Sequence, residues 1–331
     1  PSFVRQIYAI FCTFVSCGMK YEAICGTNSG NSLVLPTTYS INRQLMNMKR
    51  FLQILAWTIA GLLLATDAFG QAQITTRREK LRDFTSKTTK VVLTGDEFLD
   101  EALKESVAAT WTISPYEFCS NEEFQSLKTN DNFYFLMIVK GQFRRESEPG
   151  IDLITLVKGG EGADKSISDM FEVVNFPLRP TEDPSGREFV LLPAFLKIIQ
   201  DHTIGLTDTE MKAYANLGAK DTKKLKIKRI FFWAEDFAPQ VDEQTKRSLD
   251  EDILIKDDED EVDEIFVEGT FNTVVSYVVA PSEPVNGSIC YKMLIGSDNH
   301  ELYYFKKHRI TAKNGKGFLT SDLKTIKSLR K

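Results

Sequence analysis

Phe133–Val139 reads FYFLMIV, and Thr273–Val279, 140 residues further on, reads TVVSYVV. A strand with one wet face alternates apolar and polar residues; a nearly unbroken apolar run of this length belongs to a strand covered on both faces. Two such runs in one chain predict two sheets, each with its own central strand. Similar patterns surround both runs. Ahead of the first lie a strand at 90–93 ending in Thr94-Gly95-Asp96 and a helix with Leu99, Ala102, Leu103 and Val107 on one face. Thr94 with Glu97 has the spacing of a capping box. Next come a short strand, Tyr116–Cys119, and a second capping box, Ser120 with Glu123, opening a helix that carries Phe124 and Leu127. Behind the run, Pro149-Gly150 turns the chain into Ile151–Val157, followed by a strand at 170–176 and a helix at 193–200 started by Pro193.

The second run has the same order around it: strands at 229–233 and 253–255, a weak helix at 240–249, an acid-started helix carrying Val262, Ile265 and Phe266, then strands at 290–295 and 300–308 and a helix at 321–330, with Asp236 matching Asp96 and Val275 matching Phe135, each 140 residues apart. The reading is an α+β protein with mixed sheets, built as two tandem copies of a β-α-β-α-β-β-β-α unit, residues 73–205 and 206–331, with a linker near 203–225. The first helix should match worst, because Pro239 falls where the second copy would carry it.

The chain of 331 residues is 42% apolar and 26% charged, which excludes collagen, coiled coil and wholesale disorder. Met48-Lys49-Arg50 followed by the apolar run Phe51–Ala65 and the small residues Ala68, Gly70 and Ala72 has the form of a secretory signal peptide over 48–72, with Gln73 as the mature N-terminus. The alternative for the same run is a retained membrane anchor. Residues 1–47 are read as an upstream, non-native or disordered segment. From Gln73 onward 36 basic residues face 44 acidic ones, a net charge of −8. The expectation is an exported protein, periplasmic or extracellular, that is acidic and unsuited to nucleic acid. Only Cys119 and Cys290 remain in that part; an oxidising compartment permits a disulfide, and two separately buried thiols are the simpler reading.

Four segments, TTKVVLTGDEFLDEALKES (88–106), ISPYEFCSNEEF (113–124), PSGREFVLLPAFLKIIQ (184–200) and CYKMLIGSDNHELYYFKKHRI (290–310), resemble a family of secreted proteins of gut Bacteroidetes to which no activity is attached. The resemblance implies export and carries over no catalytic residue. The element order is also similar to that of the TolB N-terminal domain and of CsgG-like envelope lipoproteins, which implies roles in binding or assembly.

Chemistry-bearing motifs are sparse. Residues 159–166, GGEGADKS, approach a phosphate-binding loop, but Asp164 stands where the second glycine is required and would repel phosphate. His202, His300 and His308 are the chain's three histidines and lack the spacing of a metal site, so no metal and no cofactor are expected. The acids of 257–264 lack the alternation and glycine of a calcium loop and suit a helix N-terminus. Asn286-Gly287-Ser288 is read as a turn although it matches a glycosylation acceptor. Residues 250–268 carry a net −10 and residues 301–331 a net +7, patches that can meet within the fold or across an interface; the basic end is also the one part suited to touching an anionic surface. The function expected is non-enzymatic binding of another protein or a cell-surface component. The alternative is a secreted hydrolase whose site gathers Tyr116, Glu117 and His202 at strand ends. Neither reading sets an oligomeric state.

Overall fold

The structure, a computed structural model, describes residues 81–143, 146–208, 217–219 and 222–331, all within one compact body. Residues 1–47 and the expected signal peptide lie outside the described residues.

Among the described residues, ten strands form two five-stranded sheets. The first copy contributes β1 (Thr88–Val92), β2 (Tyr116–Cys119), β3 (Phe133–Gly141), β4 (Ile151–Lys158) and β5 (Phe171–Pro180), in the order β2-β1-β3-β4-β5. The second contributes β6 (Arg229–Trp233), β7 (Ile253–Lys256), β8 (Thr273–Val279), β9 (Ile289–Gly296) and β10 (Leu302–Arg309), in the order β10-β9-β8-β6-β7. Written from the other edge, the second order is the first. In both, the first three strands are parallel and the last two antiparallel. The ladders also fix equivalent residues: Lys90 lies opposite Phe135 as Phe231 lies opposite Val275. Each apolar run is the middle strand of its sheet, and Phe135, Met137, Val275 and Tyr277 are buried.

Helices α1 (Glu97–Thr110), α2 (Asn121–Leu127) and α3 (Arg187–Asp208) belong to the first copy; α4 (Glu243–Arg247), α5 (Glu259–Val267) and α6 (Thr320–Leu329) belong to the second. The connection after β6 is the least alike, a 3-10 turn at Ala234–Asp236 and the short α4 in place of the long α1. Local chemistry accounts for the helix starts. Ser120 and Glu123 make the expected capping box. The first helix is capped differently: Asp96, not Thr94, accepts from the Phe98 and Leu99 N–H groups. Thr94 instead donates its N–H and hydroxyl to Asp100, which also takes the Gly95 N–H and so ties the turn from β1 into α1.

Two further expectations need correction. The helix expected at 193–200 runs from Arg187 to Asp208 with Pro193 inside it. Proline gives up its own N–H bond and its ring crowds the carbonyl four residues back, and burial of this apolar helix between two sheets outweighs that cost. The boundary drawn at 205/206 therefore falls inside α3, and the expected linker begins as helix. By length and composition α3 also suffices to cross a bilayer, but here it is the central core helix.

The copies face the shared core with opposite sides. Tyr134, Leu136, Ile154 and Leu156 point from the first sheet into a core that holds α1, α3 and α5; their neighbours Phe135, Met137 and Val157 point outward, under α2. In the second sheet Val275, Tyr277 and Ile295, the equivalents of those outward residues, point into the shared core, and Val274 and Leu294 point outward under α6. The result is five stacked layers: α2, sheet, α1–α3–α5, sheet, α4–α6. Helix α3 packs on the first sheet as α6 packs on the second, and its other side meets the second sheet. Phe195 makes the join, its ring 4.9 Å from Phe176 on β5 and 5.3 Å from Tyr277 on β8. The Tyr277 hydroxyl donates to the Leu178 carbonyl at 2.8 Å.

Candidate binding crevice

In open α/β sheets ligands bind outside the carboxyl ends of parallel strands, at the crevice where successive connections leave in opposite directions. Here the chain leaves β1 for β2 on one side and returns past β1 to β3, so each copy has such a point between its first and third strands. The two are treated differently.

In the second copy the point is filled from within. Arg187, at the start of α3, is 3% exposed. Its Nε donates to Asp263 Oδ1 at 2.8 Å and its Nη2 to the Ser276 carbonyl at 3.2 Å. Asp236 lies 3.8 Å and Glu259 3.7 Å from the guanidinium, which also sits over the Trp233 and Tyr277 rings. The Ser276 hydroxyl donates to Asp236 at 2.5 Å. Full burial pushes the Asp236 carboxyl up, with Arg187 and Ser276 opposing; burial likewise raises Asp263 against the pull of Arg187. For Arg187 burial alone would disfavour the charge, and Asp236 and Asp263 more than restore it.

In the first copy the equivalent point is open, a crevice of about 330 Å³. Its floor is Val92, Leu99, Phe124 and Met137, each almost fully buried, and its edge includes Asp96, Asn121, Lys140, Asp152, Ile167 and Arg179. Register identifies Val92 with Trp233 and Met137 with Tyr277. Asn121 and Gln125, the first and fifth residues of α2, stand where α5 has Glu259 and Asp263. The two carboxylates at the crevice differ in how far they are engaged. Asp96 caps α1, and Asp152 accepts from Arg179 Nε at 3.0 Å and from the Thr181 hydroxyl at 2.9 Å. Arg179 also bonds Glu188 at 3.0 Å, so the first turn of α3 reaches the first sheet through Glu188 and the second through Arg187.

The lower part of the path that α3 follows over the second sheet is occupied in the first copy by residues 159–170, the loop from β4 to β5. Ala163 and Met170 of this loop pack on Phe135 and Val157. This is the GGEGADKS stretch. It joins antiparallel strands and opens no long helix, and its glycines serve folding: a Cβ at Gly159 would meet the Asn130 carbonyl, and Gly162, at φ +84°, lies against the Asp169 carbonyl.

The hydrolase residues do not line one cavity. Glu117 pairs with Lys90, and Tyr116 packs edge-on against Phe118 on edge strand β2. His202, on α3, lines a cavity of about 80 Å³ with Asp201 and Glu301. His300 stacks on Phe266, and His308 Nε2 bonds the Gly315 carbonyl at 2.9 Å. Among the described residues no cluster of His, Cys, Asp and Glu is arranged to hold a metal. The opposite charge patches meet in part within the fold, where Asp250 and Asp252 face Lys327 and Arg330. Cys119 and Cys290 are buried, separate thiols. Of all these features, sequence reading singled out Asp96 and Asp236 as matching residues but missed Arg187, whose only signal was a cation at the head of an apolar helix.

No family model, curated protein or solved structure matches the chain, so its function is argued from the site itself.

Proposed function

We propose that the protein is an exported, non-enzymatic binding protein that holds another protein or a cell-surface component in the open crevice of its first copy. Export is the reading of residues 48–72 in the sequence. Binding is supported by one observation above the others: the same point in the fold is plugged by Arg187 in one copy and left open in the other, where an apolar floor lies within a polar edge and the volume of about 330 Å³ lies in the range of small binding pockets. Ile167 at its edge is 37% exposed, and Phe98, next in sequence to Leu99 of the floor, is 81% exposed.

Affinity capture from envelope extract tests this. Ile167→Trp fills the crevice mouth from an exposed position, and Ser328→Trp alters the outer side of α6. The wild type and the Ser328 variant should retain the same component and the Ile167 variant should lose it; equal retention by all three would refute the assignment of the site.

A further inference from the structure

We infer that the crevice admits an uncharged apolar side chain, such as leucine, methionine or phenylalanine, presented by the first turn of a helix in a partner protein. The inference rests on the binding reading above and adds the chemistry of the partner. The fold itself contains the precedent. The equivalent point of the second copy receives the first turn of α3, and the side chain delivered there is Arg187. What makes that place suit a guanidinium is the set Asp236, Glu259 and Asp263, together with the rings of Trp233 and Tyr277.

The first copy keeps the shape and replaces the two helix acids by amides, while Asp96, Lys140, Asp152 and Arg179 remain at its edge. Glu259 and Asp263 become Asn121 and Gln125, Trp233 becomes Val92 and Tyr277 becomes Met137. Of the remaining acids, Asp152 is bonded to Arg179, and Asp96 caps α1 through Oδ1 at the exposed rim. A cation entering here would pass Lys140 on the rim, lose its water and reach Asp152 already neutralised by Arg179, whereas an apolar side chain gains from burial against Val92, Leu99, Phe124 and Met137. Residues 159–170 cover the lower part of the groove, so the open length suits one helical turn rather than a whole helix. A second copy of this chain is a poor occupant: α6, the equivalent of α3, turns the polar residues Ser321, Lys324 and Ser328 outward.

The test uses the secreted protein with 13C-labelled methionine methyl groups, and an alanine-based helical host peptide carrying one guest residue in its first turn. Leucine, methionine and phenylalanine guests should shift the Met137 methyl resonance and bind about tenfold or more tightly than an arginine guest, a ratio within reach of burying one such side chain. Ile167→Trp should abolish the shift. Tighter binding of the arginine guest, a shift at Met293 in place of Met137, or no binding by any guest would each overturn the inference. So would self-association of the protein that Ile167→Trp abolishes, because the occupant would then be a second copy. If envelope capture depends on an open crevice while the guest series favours arginine, the partner chemistry is wrong and the site stands. If capture ignores the crevice, the binding reading itself fails.

Discussion

Replacing Arg187 with methionine should destabilise the protein by about 3–5 kcal/mol, the usual cost of removing one partner from a buried ion pair. The figure follows from what is left behind. The variant loses the 2.8 Å bond to Asp263 and the 3.2 Å bond to the Ser276 carbonyl, and leaves Asp236 buried with the Ser276 hydroxyl as its donor. Methionine keeps part of the apolar contact with Trp233 and Tyr277, so the loss reports the charge more than the packing. Against a total stability of about 5–15 kcal/mol the effect is large. Urea unfolding of both proteins measures it. The pH dependence has a definite sign. Without Arg187 the folded-state pKa of Asp236, already raised by burial, rises further. A raised carboxyl contributes stability at low pH that is lost as pH rises through its folded pKa. The gap between wild type and variant should therefore shrink from pH 7 towards pH 4. Adding Asp236→Asn should recover part of the loss, since the two residues share one network. A loss below about 1 kcal/mol, smaller than the cost of leaving one buried polar group unpaired, would refute the reasoning, as would a gap that widens on acidification.

Leu103→Ala, in the shared core under the first sheet, should cost about 2–5 kcal/mol in the same assay, and Leu99→Ala, on the crevice wall, should fall at the lower end because that side is already open. Asp322 is buried with Lys292 and accepts from the Tyr304 hydroxyl at 2.7 Å; these partners and the Leu319 N–H hold its carboxyl below the ordinary range in spite of burial. The stability it contributes is present above the unfolded value near 3.8 and lost as pH falls through the lower folded value, so Asp322→Asn should be less stable than wild type at pH 7 and converge with it below pH 4. Burial raises Cys119 and pushes Cys290 up to about 11, so neither thiol should react with a disulfide reagent at pH 8 until the protein is unfolded.

The two sheets were legible because their middle strands are covered on both faces, and FYFLMIV and TVVSYVV carry that signature without tertiary information. The same property hid the packing of the copies. A run apolar on both faces does not say which face meets the other sheet, so the reversal that sends Met137 outward and Tyr277 inward was invisible. The extent of α3 was misjudged because Pro193 reads locally as a helix start, while its tolerance inside the helix depends on two sheets far apart in sequence. The crevice was illegible for a related reason. Val92, Leu99, Phe124 and Met137 each read as core residues, and only the absence of a plug like Arg187 leaves them lining a cavity. The matched acids Asp96 and Asp236 were the one visible trace of the paired sites.

Site-specific photocrosslinking in the native host tests the central claim most directly. A benzophenone side chain replaces Lys140 on the crevice rim in one strain and Ser328 on the outer side of α6 in another. The account predicts a discrete crosslinked product from position 140, absent when Ile167→Trp fills the crevice, and none from position 328. The same product from both positions, or one from position 328 alone, would contradict it.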